Sequence, residues 1–202
     1  MKTSKRWLCI CLLSLPVIAT LSGCASPATE RFYSLDYERQ TSLAGQATAP
    51  AYEILLESVK IPDAINRPQF VIQHEGGELS MLEHQRWLAP LEEQIALALA
   101  GNLRASLASA WVTTEPAEQA SLPRLRLRIE VQRLLLSPGK SAELDISWVI
   151  LDKDRKALRR QHQLITVPVA SPQYAALAAS VSDAIRQLST AIALDIKALQ
   201  AS

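Results

Sequence analysis

The stretch from Arg124 to Ile150 constrains the fold more than any other part of this chain. Leu125, Leu127, Ile129 and Val131 alternate with Arg124, Arg126, Arg128, Glu130 and Gln132. A period of two places all the apolar side chains on one face of a strand. Ser137-Pro138-Gly139-Lys140 is a turn sequence, and beyond it Ala142, Leu144, Ile146, Trp148 and Ile150 repeat the pattern. A second turn over residues 152–156 leads to a further strand at about residues 158–167. Strands joined in this way form an antiparallel meander with one buried face, which needs a second layer to cover it.

Two amphipathic helices supply that layer. Over residues 88–107, Leu88, Leu91, Ile95, Leu99 and Leu103 recur every three or four positions, with Pro90 expected in the first turn. Gly101 weakens this helix slightly. Ser171 and Pro172 read as the N-cap and first residue of a last helix. Its apolar stripe is Leu177, Val181, Ile185, Leu188, Ile192, Ile196 and Leu199. Shorter strands are expected at residues 31–35, 52–61 (stopped by Pro62) and 110–112. Residues 69–73 and 78–82 flank His74-Glu75-Gly76-Gly77 as a hairpin. Residues 41–50 and 113–121 read as loops. The expected fold class is α+β, an antiparallel sheet packed against two helices in a single domain over residues 31–202.

The start of the chain is of another kind. Lys2, Lys5 and Arg6 precede an uncharged apolar run from Trp7 to Leu21. That run is shorter than the about 18 residues that cross a bilayer as a helix, and Pro16 interrupts it. It reads as a secretory signal, residues 1–23, that is removed. Leu21-Ser22-Gly23-Cys24 looks like a lipobox, with a leucine, two small residues and a cysteine whose thiolate is a strong nucleophile. Cys24 is therefore expected to carry S-linked diacylglycerol and an N-acyl chain, with residues 24–30 as the tether. Triacylation makes anchoring effectively permanent. Cys9 and Cys11 leave with the signal, so the mature chain holds no internal disulfide.

Catalytic patterns are missing. No glycine lies in GxGxxG, GxxxxGK or GxSxG, there is no HExxH, and His74, His84 and His162 lack metal-ligand spacing. No cofactor or metal is expected. The leader takes three of the 21 basic residues and none of the 20 acidic ones, so the mature chain is slightly acidic and nothing favours nucleic acid. Arg124, Arg126 and Arg128 share one strand face and are expected to be a solvated surface.

Two segments stand out instead, Asn66-Arg67-Pro68-Gln69-Phe70-Val71 and His84-Gln85-Arg86-Trp87-Leu88-Ala89-Pro90-Leu91-Glu92. Arg and Trp often dominate binding energy at protein interfaces. Trp87 also reads as a core plug where sheet meets helix. At these residues, behind a lipobox and with Tyr33-Ser34-Leu35 as an early strand, the chain resembles the ABC-type transport auxiliary lipoproteins.

The resemblance implies a non-enzymatic subunit of an inter-membrane lipid transport system that supports membrane integrity. It implies an inner-membrane-anchored MCE-domain protein as partner, docked through Arg67, Pro68, Gln69, Arg86, Trp87, Pro90 and Leu91. MCE proteins form rings, so a ring-like homo-oligomer would match their symmetry. Ala25 after the lipidated cysteine favours the outer membrane, periplasmic face, in enterobacterial-type sorting. The rival readings are a lipoprotein regulator or scaffold of another envelope complex, such as a cell-wall synthase, and a periplasmic hydrolase with an unrecognised site.

Overall fold

The computed structural model describes residues 29–38, 49–115 and 122–201; the signal, the lipobox with Cys24, and most of the tether and the residue 41–50 loop lie outside them. In chain order the elements are β1 (Arg31–Tyr33), β2 (Tyr52–Lys60), β3 (Gln69–Gln73), β4 (Leu79–Trp87), α1 (Leu91–Ser106), β5 (Ala110–Thr113), β6 (Arg124–Ser137), β7 (Ser141–Leu151), β8 (Ala157–Pro168) and α2 (Tyr174–Gln200).

The β6-β7-β8 meander forms as its alternation requires, with antiparallel ladders on both sides of β7. Gly139 and Arg155 sit in the two connecting turns with φ of 69° and 64°, the left-handed region that closes short hairpins. The inward row Leu144, Ile146 and Ile150 is sealed against Leu177, Val181, Ile185, Leu188, Ile192 and Ile196 of α2 in one continuous core. The stripe Leu91, Ile95, Leu99 and Leu103 of α1 lies in that core too. The fold class is α+β.

The sheet is more complex than a single antiparallel array. Five strands run in the order β5-β2-β6-β7-β8, and a separate three-stranded sheet has the order β1-β4-β3. β2 pairs parallel with both β5 and β6, and β1 pairs parallel with β4. Parallel neighbours need a long crossover, and α1 supplies it between β2 and β5. Strand periodicity carries no information about such partners.

Both helix starts move downstream of their expected places. Pro90 is the N-cap and Leu91 the first helical residue, so Leu88 stays outside the helix, 66% exposed. Ser171 and Pro172 precede the last helix, whose N-cap is Gln173; the Ser171 hydroxyl accepts a long 3.4 Å bond from the Gln173 N–H. Pro172 instead packs over the β6–β7 turn, within 3.7 Å of where a Cβ of Gly139 would stand.

Residues 34–38 form a strap across the seam between the helices. The N–H groups of Leu35, Asp36 and Glu38 donate to Gln94 Oε1, Ser182 Oγ and Asn102 Oδ1, each at 2.9 Å. Gln94, Ser182 and Asn102 are buried polar residues; the strap N–H groups partner their acceptor oxygens, while Asn102 Nδ2 has no hydrogen-bond partner among the described residues.

Candidate functional site

The two singled-out segments, far apart in sequence, meet on the small sheet. Gln69 pairs with Arg86, and the Pro68 carbonyl accepts the Trp87 N–H at 2.7 Å. Pro68 has no N–H of its own to offer, but its free carbonyl is all this edge contact needs. The Leu88 N–H donates to Tyr33 O at 2.8 Å, which carries the β1 ladder one residue past Trp87.

Trp87 is a core residue here, 4% exposed, with its ring centroid 4.2 Å from that of Phe70. Phe70 in turn lies 5.0 Å from Tyr33. This tilted aromatic run joins β1, β4 and β3 to the main core, and Leu91 is buried behind it. Around the buried indole the backbone turns a corner, with Arg67, Pro68, Leu88 and Pro90 exposed on its outside.

Gln94 fixes that corner from below. Its Nε2 donates to Ala89 O and its Oε1 accepts from Leu35 N–H, both at 2.9 Å. Arg86 is tied locally as well. Its Nε donates to Glu83 O at 3.1 Å and its guanidinium lies 3.4 Å from the Glu30 carboxylate. Leu88 was not among the expected contact residues, because the leucine stripe assigned it to the helix. The proline two residues later is the signal that places it outside.

The arginine face is only partly the solvated surface expected: Arg128 is exposed, whereas Arg124 and Arg126 are half-buried. Arg124 Nε donates to Glu53 Oε2 at 2.8 Å, with both side chains largely buried. Glu57 accepts from Arg128 Nε at 2.6 Å, Arg155 at 2.8 Å and Arg126 at 3.3 Å. The Arg128 hydrogen bond, reinforced by the charges of all three arginines, holds the Glu57 carboxyl below its ordinary value. Glu53 and Glu57 sit opposite these arginines on β2, a parallel partner that the β6 pattern alone does not show.

Nothing in the described residues assembles a reaction centre. No group of three His, Cys, Asp or Glu residues there is placed to hold a metal ion. His74 bonds Ser80 Oγ at 2.9 Å and His162 bonds Asp145 at 2.5 Å, both in exposed settings. A groove of about 630 Å³ beside the helix C-termini offers Tyr52, Ser106, Ser109 and Lys197 but no carboxylate or histidine. Burial raises the Tyr52 hydroxyl above its ordinary value. No described helix is long and apolar enough to cross a membrane.

Comparison with solved structures shows the same fold elsewhere. An uncharacterized protein superposes with a TM-score of 0.68 at 16% identity, over 83% of this chain and 99% of that one. A Xanthomonas campestris protein, XCC0632, gives 0.59 at 18% identity, over 81% of this chain and 92% of that one. No curated protein matches the sequence. The family model for the ABC-type transport auxiliary lipoprotein component matches residues 33–193, from β1 to well inside α2. An auxiliary transport lipoprotein implies a non-catalytic, lipid-anchored role, and the chain belongs to the ABC-type transport auxiliary lipoprotein family.

Proposed function

We propose that this chain is the outer-membrane lipoprotein of an MCE-type inter-membrane lipid transport system, anchored through acylated Cys24 and docking the periplasmic tunnel protein. The family match carries the transport assignment. The surface assignment rests on the corner where both singled-out segments converge.

In that corner Arg67, Pro68, Leu88 and Pro90 are the accessible contacts, with Gln69 and Arg86 alongside. Trp87 and Leu91 act from beneath, as the buried support that holds the corner in shape. Two prolines and a backbone pinned by Gln94 leave little freedom to lose on binding, which favours affinity for a modest area. Arg67 adds a charge that a partner carboxylate can meet with two parallel hydrogen bonds.

The test is a pull-down of the lipidated protein from gently solubilised membranes, with mass spectrometry of what co-purifies. An Arg67→Glu/Leu88→Glu variant is compared with Leu194→Glu, which changes an exposed leucine on α2. The reading expects an MCE-domain protein with wild type and Leu194→Glu, and a loss of at least about tenfold with the corner variant, equivalent to about 1.4 kcal/mol. Recovery of a cell-wall synthase in its place, or equal recovery with all three chains, would sink it.

A further inference from the structure

The three-stranded sheet has a second face, pointing away from the aromatic core, and its composition is unusual for a surface. Along β3, Phe70 and Ile72 point inward, so Gln69, Val71 and Gln73 point out. Paired residues on neighbouring strands share a face. Val71 is paired with Met81, Gln73 with Leu79, Gln69 with Arg86, and Arg86 with Phe32. The outward face therefore presents Phe32, Leu79 and Met81, exposed by 55%, 55% and 45%, around a half-buried Val71.

The anchored end of the chain arrives at this face. β1 runs parallel to β4, with Arg31 beside Gln85, so β1 begins at its end nearer Met81 and Leu79. Glu30, just before β1, is ion-paired with Arg86 of β4. Cys24 precedes Arg31 by seven residues, which span at most about 25 Å when fully extended. The docking corner lies at the other end of β4, beyond Trp87.

We infer that the outward face of the β1-β4-β3 sheet rests on the lipid surface that holds the Cys24 acyl chains, with Phe32, Leu79 and Met81 at the acyl–headgroup boundary. The inference rests on the reading of Cys24 as the lipidated residue. A phenylalanine, a leucine and a methionine that no described element covers suit that boundary. Nearby charges offer no net attraction to anionic headgroups. Arg86 is paired with Glu30 and Lys140 with Glu75, while the exposed Arg31 is offset by the exposed Glu78 and Glu83. The contact is therefore apolar in origin and indifferent to the fraction of anionic lipid. Gln69 and Arg86 belong to this face, so in this seating the contacts left for a partner are Arg67, Pro68, Leu88 and Pro90 at its edge.

The experiment uses the lipidated chain in vesicles of phosphatidylethanolamine and phosphatidylcholine, with or without phosphatidylglycerol. A spin label is placed through Leu79→Cys, Met81→Cys or, as the control, Leu194→Cys. The only other cysteine after the signal is Cys24 itself, whose acylation is checked by intact mass. The labels at positions 79 and 81 should show a several-fold higher ratio of oxygen to nickel-chelate collisions than the label at 194, unchanged by phosphatidylglycerol. An aqueous ratio at 79 and 81 on acylated protein overturns the seating alone. Unacylated Cys24 overturns both the seating and the anchor reading. Dipolar broadening between labels at 81 shows that a second copy covers the face, and also overturns the seating.

Discussion

The ring of Tyr37 occupies the space in which a side chain at Gly101 would begin: a Cβ there would stand 2.2 Å from Tyr37 Cδ2. A glycine inside α1 costs helix stability, and the strap explains its presence. The close approach lets residues 34–38 lie in the helix seam, where their N–H groups reach Gln94, Ser182 and Asn102.

Gly101→Ala should therefore destabilise the protein by about 1–3 kcal/mol, read from urea unfolding, because Tyr37 must move. In a Tyr37→Ala background the same change should stabilise by about 0.5–1 kcal/mol, since only helix propensity remains. An unchanged sign in both backgrounds would show that the ring contact does not govern this site.

Gln94→Leu removes the acceptor of the Leu35 N–H and the donor to Ala89 O together. The expected cost is about 1–3 kcal/mol, with the exposed backbone of residues 34–38 cut faster by a nonspecific protease. Protease resistance equal to wild type would count against the strap as a fixed element.

Trp87→Ala should cost about 3–5 kcal/mol by opening a cavity beside Phe70. Arg67→Glu, on an exposed residue, should stay within about 0.5 kcal/mol of wild type while weakening capture of the partner. The pair separates support from contact, since loss of partner binding by Trp87→Ala alone would reflect unfolding.

The depressed carboxyl of Glu57 gives stability a pH dependence of definite sign. A carboxylate whose folded value lies below its ordinary 4.5 stabilises the fold fully above that value. The contribution is lost as pH falls from there through the folded value. Glu57→Gln should lower stability at pH 7 by about 1–3 kcal/mol, because it removes the charged acceptor that Arg126, Arg128 and Arg155 share. Its unfolding free energy should also fall less steeply than that of wild type between pH 5 and about pH 3. Parallel acid profiles for the two chains would contradict this.

The legible and illegible parts of the molecule differ in the range of the interactions that decide them. The meander and both helices are written in local periodicity, and Leu127, Ile146 and Ile185 point where their spacing places them. The strap is decided by Gln94, Ser182 and Asn102 meeting a segment more than fifty residues earlier, and no local pattern marks that encounter. The parallel pairing of β2 with β6 is equally silent, and with it the fate of Arg124 and Arg126, which read as solvated until Glu53 and Glu57 come opposite. Arg67 and Arg86 stand out through residue type; Leu88 does not, because it continues the helical leucine stripe, nor does Phe32, because a lone phenylalanine in a strand-like run reads as core.

The parallel alignment of β1 with β4 also decides how the domain bears load. In the proposed arrangement, with the lipid anchor at one end and a docked partner at the other, tension would enter through residue 31. Because the pull runs along β1, its bonds to β4 are strained together in shear instead of peeling open one by one. The strap behind β1 adds three further bonds to two helices at once. Tension is thus delivered into the helix seam, and the short β1 acts as a mechanical clamp far stronger than three residues of strand pulled open from one end.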